Sequence, residues 1–388
     1  MRIALLGAGL MARGALHEYL RHDDVTTVVV ADRSREALAA FEPHARDPRV
    51  RLELLDVTDA AAVARFLTPC DGALAAMHYG LNLALTRIAI TTHTHLVDLG
   101  GNNDVVRAQL ALDDEARAAG VSVIPDCGLA PGMVSMLVAW GMTHLPWVRE
   151  VRIRVGGLPF EPTEPLRYER LFNVEGLINE YVEPPLALRD GRVITAQAIG
   201  DVETLEFVAP VGTLEAFNTS GGVSTLIDTY GHRLRTLDYK TLRYPGHAHA
   251  MRWLLELGLF GSDPIDVNGV RVVPRHLLAQ AIVRHLPMCD RDRTVVRVTF
   301  DGEDAGTPRT QVLEVIDTFD ETTGLTSMMR TTAFPAATAS LMQCRGDVAR
   351  MGVAPQERVL DPDRYLAHLA GAGIIVNQKP QGDCFQSK

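Results

Sequence analysis

From residue 2 to about 125, short apolar runs alternate with longer amphipathic stretches. The apolar runs are RIALL (2–6), VTTVVVA (25–31), RLELLDV (51–57), GALAAM (72–77), HLVDLG (95–100) and VSVIP (121–125), and each reads as a strand. The stretches between them read as helices. The one at 102–120 carries polar capping residues at its start and Gly120 just past its end. Six strands alternating with helices is the pattern of an α/β fold with a Rossmann-like, doubly wound parallel sheet.

Beyond residue 148 the pattern changes. VREVRIRVGG (148–157) alternates polar and apolar positions, as a half-buried antiparallel strand does. Similar runs are LEFVAPV (205–211), RLRTLDYKTLRY (233–244), TVVRVTFDGE (294–303), TQVLEVIDTFD (310–320) and LTSMMRTT (325–332). They predict a second α+β domain with a largely antiparallel sheet. The segments 333–352 and 361–373 read as helices that pack back on the first domain, and the polar end, 377–388, as frayed. The expected organisation is therefore a first domain over 1–126, a second over 127–332, C-terminal helices over 333–376 and a tail over 377–388.

Bulk properties narrow the class. A chain of 388 residues fits two domains, and 47% apolar with 22% charged residues is ordinary for a soluble globular protein. A net charge of −10 argues against general nucleic-acid or anionic-membrane binding. Cys70, Cys127, Cys289, Cys344 and Cys384 are odd in number, widely spaced and without a C-x-x-C pair, which speaks against a disulfide framework or a zinc site. The start, MRIALLGAGLMARG, lacks a signal-peptide layout, and no window approaches 18 continuous apolar residues. A cytoplasmic protein is expected.

The sharpest motif is Gly7-Ala8-Gly9-Leu10-Met11-Ala12, a G-x-G-x-x-G/A pattern between a strand and a helix. The first glycine permits a tight turn. The second lets the backbone approach a pyrophosphate, whose charge meets the helix N-terminus, and Ala12 allows close helix–strand packing. Asp32 follows the second strand, where a carboxylate accepts hydrogen bonds from the ribose hydroxyls of NAD and repels a 2′-phosphate. Arg33 beside it can stack on adenine or pair with the phosphate of NADP, so NAD is expected with NADP as the alternative. Ligands of such sheets lie at the carboxyl ends of the strands. Asp56 and Val57 are placed near the adenine edge; Met77, His78, Leu99, Gly100 and the turn PDCGLAPGM (125–133) are placed at the nicotinamide end.

GAGLMARG, DLGGNNDV, DCGLAPGM, NVEGLINEYVEPP, LEAFNTSGGVSTL, KTLRYPGHAHAM and MMRTTAFPA together resemble the saccharopine dehydrogenase-like family, most closely its NAD-dependent L-lysine 6-dehydrogenase branch, over residues 1 to about 375. The resemblance implies a dinucleotide-binding domain joined to a substrate domain, and chemistry at a carbon–nitrogen bond. Saccharopine reductases commonly carry an acid in the turn that here reads GLAPG; Ala130 takes its place, which favours a simpler amine. The implied reaction is oxidative deamination of L-lysine at the ε-amine, giving allysine (cyclising to piperideine-6-carboxylate), ammonia and NADH. The alternatives are an NAD(P)H-dependent imine reductase of the saccharopine or carboxyspermidine type, and a non-catalytic coenzyme-binding sensor.

Amine oxidation needs a hydride acceptor, a base that keeps the amine neutral, and a proton shuttle for water addition to the imine. A lysine-like substrate also needs its carboxylate held, for which arginine is the best bidentate partner. Arg243 in TLRYPGH is assigned that role, with Tyr244 beside it. Candidates for the base are His247, Glu180 in INEY, and Asp126, which reads equally as a cap for the following helix. Asn218, Thr219 and Ser220 form a polar turn suited to hydrogen-bonding the substrate. Nothing in amine oxidation requires the Cys127 thiol, which is placed as a packing residue or a nicotinamide contact. His93/His95 and His247/His249 each put two imidazoles on one face of a strand, but no third ligand follows, so no metal is expected. The expected partner is a small-molecule amine, and the antiparallel sheet suggests a homodimer or higher homo-oligomer.

Overall fold

A computed structural model describes residues 1–379. The chain divides into two compact units: Met1–His144 with Met329–Ile375, and Leu145–Met328 with the segment from Val376.

The first unit is built on a seven-stranded sheet. Its strands are β1 (Arg2–Leu6), β2 (Thr27–Asp32), β3 (Val50–Leu54), β4 (Gly72–Ala75), β5 (His95–Asp98), β6 (Ser122–Ile124) and an added edge strand, Gly352–Val353. All neighbours are parallel, in the order 352–353, β6, β5, β4, β1, β2, β3. The central strands are buried along their length, as Ile3, Ala4, Leu5, Val28 and Val30 illustrate. That is why they read as continuous apolar runs rather than alternating ones. Strand order reverses between β1 and β4, and in such sheets the crevice at that point takes the ligand.

Grouped by contacts, the first compact unit runs on to His144. The helix Met133–His144 is apolar on nearly every side, with Met133, Val134, Met136, Leu137, Val138, Ala139 and Met142 buried. A helix without a polar face must be enclosed, and this one is covered by the helices Gln356–Val359 and Pro362–Gly371. The C-terminal segment thus returns to the first unit through both these helices and the edge strand.

The second unit carries a nine-stranded sheet. Its strands are β7 (Val148–Pro159), β8 (Leu186–Arg189), β9 (Arg192–Thr195), β10 (Glu203–Glu206), β11 (Thr213–Asn218) and β12 (Thr236–Arg243). A separate hairpin, β13 (Ile265–Val267) and β14 (Val270–Val272), comes next, and β15 (Asp292–Asp304) and β16 (Thr307–Thr318) complete the sheet with Asn377–Lys379. The main path is β10, β11, β12, β7, β15, β16 and 377–379; β12 and β7 run parallel, the other pairs antiparallel.

Three local readings give way. Residues 325–332 do not form a strand; Ser327–Cys344 is a helix. The buried Asp292 carboxylate accepts the backbone N–H of Met328 at 2.8 Å and that of Ser327, so a side chain distant in sequence caps a segment whose own pattern alternates. The run 205–211 is a strand only to Glu206, after which Phe207 and Val211 fold into a tight loop over the apolar cluster of Leu158, Leu214, Leu242 and Tyr244. Within the predicted tail, Asn377–Lys379 pairs with β16, and residues 380–388 lie outside the described residues.

Candidate active site

The glycine-rich turn of the first unit fits a dinucleotide. Gly7 has φ +101°, and a Cβ there would lie 2.5 Å from the Ala76 carbonyl oxygen, so only glycine fits between β1 and β4. A Cβ on Gly9 would meet nothing within 4 Å. The strand-to-helix turn is therefore open on the side a pyrophosphate approaches. Gly9 caps the helix Leu10–Leu20 without any side-chain hydrogen bond, which leaves the first backbone N–H groups for an anion.

Asp32 is tied into this cradle. One carboxylate oxygen accepts the Ala8 N–H at 2.9 Å, the other the Ser34 N–H at 2.8 Å. Each oxygen keeps lone-pair capacity for a ribose hydroxyl. Arg33 and Asp56 are exposed nearby. Asp56 follows the end of β3 instead of closing it, and its carboxylate accepts the Thr58 N–H and hydroxyl at 2.9 and 2.8 Å. These bonds hold it below the usual carboxylate range, with a smaller contribution from the Arg33 charge. Val57 packs against the core beneath.

Met77 and His78 follow β4, and Met77 stands against Gly7. His78 accepts the Gly80 N–H on Nδ1 at 3.1 Å and stacks on Tyr79, ring centroids 4.3 Å apart. Leu99 and Gly100 follow β5. The Gly100 N–H donates to Asp98 at 2.8 Å. Asp98 has no exposed surface, and it also accepts the Gln109 side chain at 2.8 Å and the Asp126 N–H at 3.2 Å. Burial pushes its carboxyl up despite these bonds. One buried acid thus joins the turns after β5 and β6.

Asp126 lies in the left-handed region, φ +59°, and is not the cap of the following helix, which begins at Met133. Its carboxylate is packed on Gly100, where an added Cβ would fall 1.8 Å from Oδ1. Gln356 donates to its carbonyl at 2.9 Å. Cys127 turns inward and has no surface for a coenzyme contact. Its thiol points to the Ile124 carbonyl at 3.4 Å, and burial pushes it well above the usual thiol range, so it is not a nucleophile.

The second unit gathers a different polar set on one face of β12. Alternate residues of a strand share a face, and Tyr239, Thr241 and Arg243 therefore point together. The helix Val174–Val182, whose N-cap Asn173 accepts the Glu175 N–H, brings Glu180 and Tyr181 to them. Thr241 donates to Glu180 Oε1 at 2.5 Å, and the hydroxyls of Thr219 and Thr241 are 2.7 Å apart. Since Thr241 spends its proton on Glu180, Thr219 donates to Thr241. Glu180 Oε2 stands 3.8 Å from Arg243 Nη2. Ser220 clips the turn to the same helix, its N–H donating to the Glu180 carbonyl at 3.0 Å. Gly222 lies flat on Tyr239, where a Cβ would be 2.1 Å from the ring.

Arg243 is 2% exposed. Its guanidinium sits 4.9 Å from the centre of the Tyr168 ring, Nη1 donates to the Leu242 carbonyl at 2.9 Å, and Nε has no hydrogen-bond partner. Neighbouring Tyr181, Tyr168 and Glu180 outweigh burial and keep it firmly charged. Burial pushes the Tyr168 hydroxyl up to about 12.

Other candidates are placed elsewhere. His247 is buried; Nδ1–H donates to the Leu166 carbonyl at 2.7 Å, and Nε2 accepts from the Tyr181 hydroxyl at 2.9 Å. Burial, with the Arg243 charge, pushes its pKa down to about 3. It is a neutral ring that positions Tyr181, not a base that meets solvent. Tyr244 faces the opposite side of β12, its hydroxyl donating to the Pro159 carbonyl at 2.9 Å. Asn218 shares that other face with Lys240 and donates to Asp201 at 3.2 Å. His247 and His249 begin a helix, where positions two apart face different ways. Among the described residues no three His, Cys, Asp or Glu side chains are gathered to hold a metal ion, and no helix is long and apolar enough to cross a membrane.

Residues 3–124 match the family described as the saccharopine dehydrogenase NADP binding domain, and residues 128–374 the saccharopine dehydrogenase C-terminal domain. The chain belongs to the saccharopine dehydrogenase family. Its first unit is accordingly that family's nicotinamide-dinucleotide-binding domain, in agreement with the open turn at Gly9. Among relatives of this saccharopine dehydrogenase family member, the mitochondrial alpha-aminoadipic semialdehyde synthase of Bos taurus is 24% identical over 276 residues, 68% of this chain and 29% of that protein. The chain thus spans under a third of that relative's length. The carboxyaminopropylagmatine dehydrogenase of Synechocystis is 21% identical over 406 residues, 96% of each chain. The apo saccharopine dehydrogenase (L-Glu forming) of Saccharomyces cerevisiae shares the fold, with a TM-score of 0.79, 21% identity, and 97% and 99% of the two chains covered.

The family member's polar set includes residues that the sequence did not single out. Tyr168, Tyr181, Tyr239 and Thr241 wall or bind the Arg243–Glu180 pair, and Asp98 organises the ligand edge of the sheet. Thr241 was within reach of inspection, being two positions from Arg243 on a strand. The tyrosines come from three separate segments and carry no local signal.

Proposed function

We propose that this protein oxidatively deaminates L-lysine at its ε-carbon with NAD, giving allysine, ammonia and NADH. The observation that carries the reading is Arg243: a buried, charged guanidinium with Nε lacking a partner and Nη2 3.8 Å from the only carboxylate paired with it among the described residues. A buried charge with open donors calls for an anion, and an α-carboxylate matches its fork. Asp32, held by Ala8 and Ser34, supports NAD over NADP, since its charge opposes a 2′-phosphate.

The residues divide the work as follows. Gly9 and the N-terminus of its helix hold the pyrophosphate, and Asp32 the adenosine ribose. A nicotinamide bound in this cradle would supply the hydride acceptor for the ε-carbon. Arg243, braced by the Tyr168 ring, holds the α-carboxylate. Overall, the ammonium form of lysine, NAD⁺ and water yield aldehyde, ammonium, NADH and one proton.

The test mixes enzyme, NAD and L-lysine and follows NADH absorbance and ammonia together. One ammonia per NADH is expected. NADH without ammonia would exclude deamination, and no NADH would exclude lysine. A reductive reading, NAD(P)H-dependent reduction of an imine made from an amine and a carbonyl compound, draws support from the end-to-end match to the Synechocystis dehydrogenase. It predicts coenzyme oxidation only when both amine and carbonyl are supplied.

A further inference from the structure

We infer that Glu180 is the reader of an α-ammonium, so that the site on β12 selects a whole L-α-amino-acid head group and not a carboxylate alone. The inference rests on the reading of Arg243 as the carboxylate anchor. It assigns Glu180 a role different from general base.

Three observations carry it. First, Glu180 and Arg243 are near each other without closing into a tight pair: Oε2 to Nη2 is 3.8 Å, beyond a direct hydrogen bond. An α-amino acid carries its carboxylate and ammonium on the same carbon, so a ligand whose carboxylate sits on Arg243 brings its ammonium within reach of a carboxylate at this spacing. Second, Glu180 is held as an acceptor. Oε1 takes the Thr241 hydroxyl at 2.5 Å, and Thr219 donates into Thr241 at 2.7 Å. A carboxylate whose one oxygen accepts from a chain of hydroxyl donors keeps its other oxygen for a further donor, such as an ammonium N–H. Third, the surrounding walls are phenolic. Tyr168 and Tyr239 are buried against the pair, and Tyr181 is fixed by His247. Among the described residues, Glu180 is the acidic group that pairs with Arg243.

Discrimination follows. Removing the substrate's α-ammonium leaves Glu180 facing Arg243 and the carboxylate; removing the carboxylate leaves Arg243 without its anion. Both losses are of charge-assisted bonds, for which roughly tenfold or more in affinity is expected.

The experiment measures binding to the full-length protein with coenzyme present, by calorimetry, using three probes without an ε-amine: L-norleucine, hexanoate and pentylamine. Wild type is expected to bind norleucine at least about tenfold more tightly than either of the others. Glu180→Gln, isosteric and uncharged, is expected to bring norleucine down to the level of hexanoate and leave hexanoate unchanged or tighter. Glu180→Asp is expected to fall between. Coenzyme affinity, measured alongside, reports that each variant is folded. If Glu180→Gln keeps the preference for norleucine over hexanoate, the inference is overturned. So too if the variant binds norleucine normally and loses only turnover, as a lost base would. Because norleucine and hexanoate, whose comparison decides the result, carry no terminal amine to be oxidised, failure of lysine as a substrate leaves this result standing, and failure here leaves lysine turnover intact.

Discussion

The Tyr181 hydroxyl donates to Nε2 of His247 across 2.9 Å, while Nδ1–H of the same ring is committed to the Leu166 carbonyl at 2.7 Å. Both ring nitrogens are spent, which fixes one neutral tautomer. The histidine at the start of the helix His247–Glu256 is thereby a brace for a tyrosine of the polar site.

Protonation of His247 is therefore opposed by the fold. Its folded pKa lies near 3, below the ordinary histidine value. The unfolded chain binds the extra proton first as pH falls below about 6.5, so this residue's contribution is complete above that pH and is lost progressively toward pH 3. His247→Gln should flatten that part of the stability–pH curve and cost about 1–3 kcal/mol at pH 7 from the unpaired Tyr181 hydroxyl and Leu166 carbonyl. Urea melts at several pH values test this. A variant with the wild-type slope would show that His247 is not the titrating group.

The two glycines of the cradle should fail differently. Gly9→Ala meets open space and should fold with an unchanged melting temperature, yet bind coenzyme at least about tenfold more weakly, because the methyl group occupies the approach of the pyrophosphate. Gly7→Ala collides with the Ala76 carbonyl at φ +101° and should lower stability by about 1–3 kcal/mol. Coenzyme titration beside thermal melts separates the two.

Asp32→Ala removes the ribose acceptor and the anchor of the Ala8 and Ser34 N–H groups together. The KM for NAD should rise by about tenfold or more, and the preference for NAD over NADP should shrink, since the repelling charge is gone while Arg33 stays. Initial rates with each coenzyme decide it; an unchanged ratio would place the discrimination elsewhere.

Tyr244→Phe and Cys127→Ala should leave turnover and KM within about twofold of wild type. The Tyr244 hydroxyl is bonded to the Pro159 carbonyl on the far face of β12, and the Cys127 thiol is enclosed. Their cost should appear as stability, about 1 kcal/mol each. A large loss of activity in the Cys127 variant, without loss of fold, would restore the thiol to the chemistry.

How far the chain could be read from its letters follows from the range of the forces involved. The six strands of the first unit, the turn at Gly7 and Gly9, and Asp32 after β2 are set by local patterns: strand periodicity, glycine where no Cβ fits, and an acid at a fixed distance along one βαβ unit. Arg243 and Glu180 were visible as residue types with a resemblance behind them. Their mutual distance was not visible, because it depends on how the helix Val174–Val182 lies across β12. The same holds for Tyr168 and Tyr239 beside them, for His247 turned from base to brace, and for Asp292 converting an alternating segment at 325–332 into the start of a helix. The sequence by itself determined the parallel sheet and its coenzyme turn, since neighbours along the chain determine backbone conformation there. Only the tertiary structure decided which polar groups meet, since hydrogen bonds and burial act between segments far apart in the chain, as across the 61 residues from Thr241 to Glu180 and the 66 from Tyr181 to His247.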